Sequence, residues 1–271
     1  MKHLLHPALY LNRSCILENA LYTGVALYAA LYTLLVPGAS AESTQTRIEQ
    51  KTTTYSVGFN TTRLIYTPGS QGASLTITNP NSFPILAQSE VNSTDSGERA
   101  PFTVTPPLFR LNPEEQNRVR VIMTGATKFT DRESLHWLCV TGIPPEKGDL
   151  WDNAVSNRPD TALLDIKVKL RQCIKLLTRP AGLGGTPEKA GVSVTWKRDE
   201  TGVRAVNDTP YFVNFKYIES GSKKLESPEY LAPFSSRSYR LPGGSSTTGD
   251  VKYVFINDLG GDSAPVSARI Q

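Results

Sequence analysis

Beyond residue 54 the sequence is a succession of short β-branched or alternating apolar segments, and none of it shows a convincing helix-length amphipathic pattern. Segments of this kind cover residues 55–59, 64–66, 73–78, 85–91, 102–105, 118–123, 135–140 and 163–177. Turn residues separate them, among them Thr67-Pro68-Gly69, Asn79-Pro80-Asn81, Pro106-Pro107 and Asn112-Pro113. About seven or eight strands before residue 180 fit an immunoglobulin-like sandwich. Residues 181–190 are rich in Gly and Pro, and a second set of strands follows near 192–196, 203–206, 212–218, 239–241, 251–256 and 266–270. The expected architecture is all-β: two immunoglobulin-like β-sandwich domains in tandem, at 42–180 and 191–271, joined by a linker over 181–190 with a cleft between them.

The first 41 residues read differently. Lys2 and Arg13 precede the apolar run LYTGVALYAALYTLLV at 21–36, and Pro37-Gly38-Ala39-Ser40-Ala41 ends in the Ala-x-Ala pattern that signal peptidase accepts. The run is shorter than the roughly 20 apolar residues a membrane span requires. Residues 1–41 are therefore expected to be a secretory signal cleaved after Ala41, the alternative being a retained anchor helix.

Cleavage would remove Cys15, His3 and His6 and leave Cys139, Cys173 and His136. Two cysteines in an exported chain read as one disulfide, Cys139 to Cys173, closing the connection over 140–172; two free buried thiols are the other possibility. By loop entropy such a bridge is worth about 4 kcal/mol.

Much chemistry lacks support. A Ser-His-Asp site would have to use His136, which sits in the apolar run LHWLCV without a G-x-S-x-G elsewhere, and it reads better as a histidine on a strand. No H-E-x-x-H, C-x-x-C or phosphate-binding loop occurs, so neither a metal nor a cofactor is expected and the chain is not read as an enzyme. With 29 Lys and Arg against 25 Asp and Glu, the net charge of +4 does not call for a nucleic-acid partner.

One segment is unusual. From Leu164 the residues alternate, with Leu164, Ile166, Val168 and Leu170 on one face and Asp165, Lys167, Lys169 and Arg171 on the other, and the segment runs on through Gln172-Cys173-Ile174-Lys175-Leu176. That is well beyond the usual five or six residues of a strand. At a sheet edge such a stripe invites pairing with another chain. On pattern alone, packing into the chain's own core is equally open.

The residues around this strand carry a resemblance. Asp131-Arg132-Glu133-Ser134-Leu135-His136-Trp137-Leu138-Cys139 with Ile143-Pro144-Pro145 resembles the signature of the periplasmic pilus-assembly chaperones of the chaperone-usher pathway. Thr62-Arg63-Leu64-Ile65-Tyr66, Pro107-Leu108-Phe109-Arg110-Leu111, Ile174-Lys175-Leu176-Leu177-Thr178-Arg179-Pro180 and Asn257-Asp258-Leu259-Gly260-Gly261 agree with that family in order. Cys139 stands where most members have Asn, a Cys precedes Ile174, and the usual proline before Asp131 is missing. The cysteine pair and the long 140–172 connection resemble the subfamily with an extended loop, whose members assemble thin, fibrillar or capsule-like surface polymers. Tyr55, Val57 and Phe59 fit the lengthened N-terminal strand of that subfamily.

The resemblance implies a periplasmic chaperone that binds fimbrial or fibrillar subunits, caps them and delivers them to an outer-membrane usher. Leu164, Ile166, Val168 and Leu170 would be the donor strand filling the open core of a subunit. Arg63 and Lys175 would grip the subunit's C-terminal carboxylate. Glu133, Arg179 and Asp258 would form an interdomain ion cluster. The free protein could self-associate to cover its strand. The alternative readings are a secreted immunoglobulin-like adhesin or surface subunit, which should not need Arg63 and Lys175, and an exported hydrolase on a β-sandwich, which should need His136.

Overall fold

The computed structural model describes residues 48–93, 99–146, 148–149, 162–200, 202–243 and 249–271. The signal-peptide reading of residues 1–41 and most of the loop after Pro145, Trp151 included, lie outside them. The described chain is all-β apart from one short helix.

The first half carries β1 (Ile48–Tyr55), β2 (Gly58–Phe59), β3 (Arg63–Tyr66), β4 (Ala73–Thr78), β5 (Ile85–Ser93), β6 (Phe102–Thr105), β7 (Leu108–Leu111), β8 (Gln116–Met123), β9 (Ser134–Ile143), β10 (Ala162–Lys169) and β11 (Arg171–Thr178). One sheet has the order β3-β11-β9-β5-β7 and the facing sheet β2-β4-β8-β6. Their alternating apolar faces meet in a core that includes Leu75, Ile77, Ile85, Leu111, Val119, Val121, Leu138 and Leu176. The period-two burial of β5 and β6 is the pattern expected of strands with one face on a core.

The second half carries α1 (Pro187–Val192), then β12 (Thr195–Asp199), β13 (Gly202–Asn207), β14 (Phe215–Ser220), β15 (Lys223–Glu226), β16 (Ser235–Arg240), β17 (Asp250–Phe255) and β18 (Val266–Arg269). The sheets β12-β13-β16 and β15-β14-β17-β18 enclose a second core around Trp196, whose ring packs against Phe215, Tyr239 and Tyr253.

Three details differ from the sequence reading. The segment read as linker ends in α1, which is capped by Thr186 accepting from the Lys189 N–H and has Pro in its first turn. The N-terminal strand starts at Ile48, in the polar run IEQKTTTY where no alternation marks it. The long strand is not continuous. It breaks at Leu170, whose N–H donates to the Tyr55 carbonyl and whose carbonyl accepts from the Gly142 N–H, separating β10 from β11. Gly142 is needed there, since a Cβ would lie 2.5 Å from the Tyr55 carbonyl oxygen.

Candidate functional site

β3 and β11 lie side by side in parallel, with Arg63 opposite Lys175 in register. Both side chains turn toward the second sandwich. Arg63 is only 6% exposed, and its Nη1 donates to the Ile256 carbonyl at 3.2 Å while its Nε is buried without a hydrogen-bond partner. The Lys175 ammonium donates to Asn214 Oδ1 and sits 5.2 Å from the centre of the Tyr230 ring. Burial, with the positive field of Arg63 adding to it, pushes Lys175 down from 10.5 to about 8. Burial also lowers Arg63, with Asp258 and Glu133 opposing. Among the described residues neither cation forms a salt bridge, so two partly desolvated charges stand together without an anion between them. Charge-assisted bonds to a carboxylate are the interaction such a pair can make best.

Beside them Arg179, Glu133 and Asp258 come together. Arg179 Nε donates to Glu133 Oε1 at 2.6 Å, and its two terminal nitrogens grip Asp258 Oδ2 and Oδ1 at 2.6 and 2.9 Å. Glu133 Oε2 accepts from the Phe212 N–H at 2.7 Å, and the Glu133 N–H donates to the Pro210 carbonyl at 2.9 Å. All four carboxylate oxygens and all three guanidinium nitrogens are thus used, as a largely buried ion group requires. Burial pushes the Glu133 carboxyl up, against the pull of Arg179. Burial works against the charge of Arg179, yet its bonds to Asp258 and the field of Glu133 outweigh it and hold the guanidinium above its ordinary value. Asp258 is presented by a tight loop in which Asn257 Oδ1 accepts from the Leu259 and Gly261 N–H groups. Gly260, at φ 85°, lets that loop close on Thr62, next to Arg63: a Cβ there would fall 2.5 Å from Thr62 Oγ1.

β10 leaves this cleft along the first sandwich. One edge pairs in parallel with β1, Thr52 opposite Ile166 and Thr54 opposite Val168, and among the described residues no strand pairs with the other. Leu164 is 50% exposed and Leu170 38%. Ile166 and Val168 are half-buried, and Asp165, Lys167 and Lys169 are exposed. Beyond the break at Leu170, Gln172 interrupts the alternation, its side-chain oxygen accepting from the Val57 N–H at 2.8 Å, and the next apolar residues, Ile174 and Leu176 in β11, belong to the core. The apolar residues of β10 thus form a row of their own outside the core of the first sandwich.

Cys139 and Cys173 are opposite one another on β9 and β11 and form a disulfide with a Cα–Cα distance of 4.0 Å. His136 lies on β9 with its ring edge-on to Phe102 at 5.2 Å, as a strand histidine. Sequence reasoning did not single out Asn214, Tyr230 or Phe212. Each is a common residue type in an unremarkable run, and only the packing of one sandwich on the other brings them to the cations.

Two family descriptions match the chain in succession: "Pili and flagellar-assembly chaperone, PapD N-terminal domain" over residues 56–184, and "Pili assembly chaperone PapD, C-terminal domain" over 189–266. The chain is 37% identical over 236 residues to the chaperone protein AfaB of Escherichia coli, covering 86% of this chain and 96% of AfaB. It is 37% identical over 263 residues to the chaperone protein MyfB of Yersinia enterocolitica, covering 93% of this chain and 98% of MyfB. In structure it resembles the E. coli chaperone DraB, with a TM-score of 0.70, 38% identity and coverage of 82% of this chain and 100% of DraB. It likewise resembles a chain of the Salmonella enterica SafA pilin complex with the SafB chaperone, with a TM-score of 0.71, 36% identity and coverage of 82% and 99%. Both halves of the described fold thus fall within one family, and the chain belongs to the pilus-assembly chaperones of the PapD type.

Proposed function

We propose that this chaperone acts in the periplasm, after cleavage of residues 1–41, by lending β10 to a fimbrial or capsule-like fibre subunit and handing the capped subunit to an outer-membrane usher. The observation that carries this reading is the partly exposed apolar row Leu164, Ile166 and Val168 on a strand whose second edge is unpaired among the described residues. Strand addition at the free edge of β10 supplies backbone bonds, and pockets in the subunit take the alternate side chains. Completing the burial of Leu164, Ile166, Val168 and Leu170, which are about half exposed or less in the free chain, is worth roughly 3–6 kcal/mol before ordering costs. The resemblance to the SafA–SafB complex supports a pilin as the class of partner.

Register matters, because a slip of one residue would turn Asp165 and Lys167 into the subunit. In this reading Arg63 and Lys175 fix it by holding the subunit's C-terminal carboxylate, while Arg179, Glu133 and Asp258 set the cleft. Usher delivery is supported by the family membership alone. The test is co-purification: the tagged mature chain is expressed in the periplasm with its neighbouring genes, for wild type beside Lys175→Ala. A small β-rich subunit held in stoichiometric amount by wild type and lost from a folded Lys175→Ala supports the reading. Equal capture by both would sink the carboxylate anchor, and no capture by either would favour the adhesin alternative. Light scattering of the same free protein reads out self-association through β10.

A further inference from the structure

The two cations of the cleft belong to the first sandwich, yet what holds them belongs to the second. Arg63 and Lys175 are register neighbours on β3 and β11. Facing them, Ile256 and Asn214 are joined by the bond from the Ile256 N–H to the Asn214 carbonyl, 2.7 Å long. Arg63 Nη1 donates to the Ile256 carbonyl, and the Lys175 ammonium donates to Asn214 Oδ1. The contacts make a four-cornered frame, with two corners from each sandwich.

A second support stands beside the first. Val213 and Leu231 bridge one another through paired backbone bonds of 2.9 and 2.8 Å, which set the adjacent residues Asn214 and Tyr230 side by side. Tyr230 presents its ring to Lys175, with Arg237 at 5.3 Å from the same ring and Phe212 edge-on at 5.4 Å. Lys175 therefore meets an amide oxygen and a π face, both acceptors of positive charge without a charge of their own. Asn214 is 5% exposed, so its amide is fixed by the fold and not by solvent.

We infer that Asn214 and Tyr230 are positioning residues for the carboxylate site: they hold the Lys175 ammonium next to Arg63 by neutral contacts, leaving its positive charge unspent for the subunit's C-terminus. An ammonium has three donors, and one bond to Asn214 leaves others for the ligand. A neutral support orients the cation without competing for it, whereas an anion at the same place would neutralise it. The choice of Asn over Asp at position 214 then decides whether the site is open. This inference rests on the carboxylate-anchor reading above.

The test uses the full mature chaperone and one probe, a synthetic peptide of the C-terminal strand of the co-purified subunit, made as the free acid and as the C-terminal amide. Wild type is expected to prefer the acid by about 10- to 100-fold, the range of a charge-assisted bond or two. Asn214→Asp is expected to abolish that preference, bringing the acid-to-amide ratio close to one, because the introduced carboxylate pairs with Lys175. Asn214→Ala and Tyr230→Leu are expected to reduce the preference several-fold, and Tyr230→Phe, which keeps the ring, to retain it. Circular dichroism checks that each variant is folded, and the acid-to-amide ratio is insensitive to a general loss of active protein. If wild type prefers the acid and Asn214→Asp does so equally, the inference is overturned while the anchor stands. If wild type itself does not distinguish the two peptides, the anchor reading falls and takes the inference with it.

Discussion

Lys175 and Arg63 are direct neighbours on parallel strands, two cations facing a cleft with no anion between them among the described residues. Such an arrangement costs the free protein stability. The Lys175 pKa of about 8 lies below its ordinary 10.5, so the cost is fully present below pH 8 and is relieved as the pH rises from 8 toward 10.5. Lys175→Met is therefore expected to be more stable than wild type at pH 7, by about 1 kcal/mol once solvent screening is allowed for. The gain should disappear above about pH 10. Urea unfolding at the two pH values measures it. Subunit binding has the opposite interest in the charge, and its affinity is expected to fall as the pH rises through 8.

The row on β10 makes a separate demand. Ile166 lies in the middle of it and is only half-buried in the free chain. Ile166→Asp removes an apolar side chain and places a charge where the subunit core would be. It is expected to weaken subunit capture at least about 100-fold. The melting temperature should also fall, because Ile166 is half-buried in the free chain, so capture is compared at a temperature where the variant is shown to be folded. Lys167→Ala, on the opposite face, serves as the control with near-normal capture.

The ion group predicts an asymmetry. Glu133 is 2% exposed, and Arg179 is its only salt-bridge partner among the described residues. Arg179→Ala strands that carboxylate and is expected to cost about 3–5 kcal/mol. The double variant Glu133→Ala with Arg179→Ala should recover part of the loss. Asp258 is more open, and Asp258→Asn is expected to cost less than Arg179→Ala. Chemical denaturation of the three variants provides the comparison.

Replacing both Cys139 and Cys173 by Ala removes the cross-strand link between β9 and β11 and opens the connection that carries β10. The expected loss is about 2–4 kcal/mol. Subunit capture should weaken as well, because β10 then leaves a less constrained strand pair. Calorimetry and co-purification check the two parts.

The sandwich strands were legible in the sequence because one-sided burial writes itself as alternation, as in Phe102 to Thr105, and β10 carries the same alternation although its apolar face is left partly exposed. β1 was not, since IEQKTTTY has no apolar face of its own and is a strand only because β10 offers an edge to pair with. The break at Leu170 was hidden for the same kind of reason: it comes from Tyr55 and Gly142, distant in sequence. α1 left a small trace, Thr186-Pro187-Glu188, that its Gly-rich surroundings concealed. In the site, Arg63, Lys175, Glu133, Arg179 and Asp258 stood out through the resemblance, and the structure gathers the last three into one group. Asn214 and Tyr230 left no local signal, because their part is set by how one sandwich meets the other.

The central claim is that β10 pairs with a subunit through its open edge. The most direct measurement is residue-resolved amide hydrogen exchange over Ala162–Lys169, in the free chaperone and in the co-purified complex. The account predicts that amides pointing toward β1 are protected in both, whereas the alternate amides, which face the open edge, slow by about 100-fold or more only in the complex. Unchanged exchange along that edge in a stoichiometric complex would contradict strand donation and require the subunit to bind elsewhere.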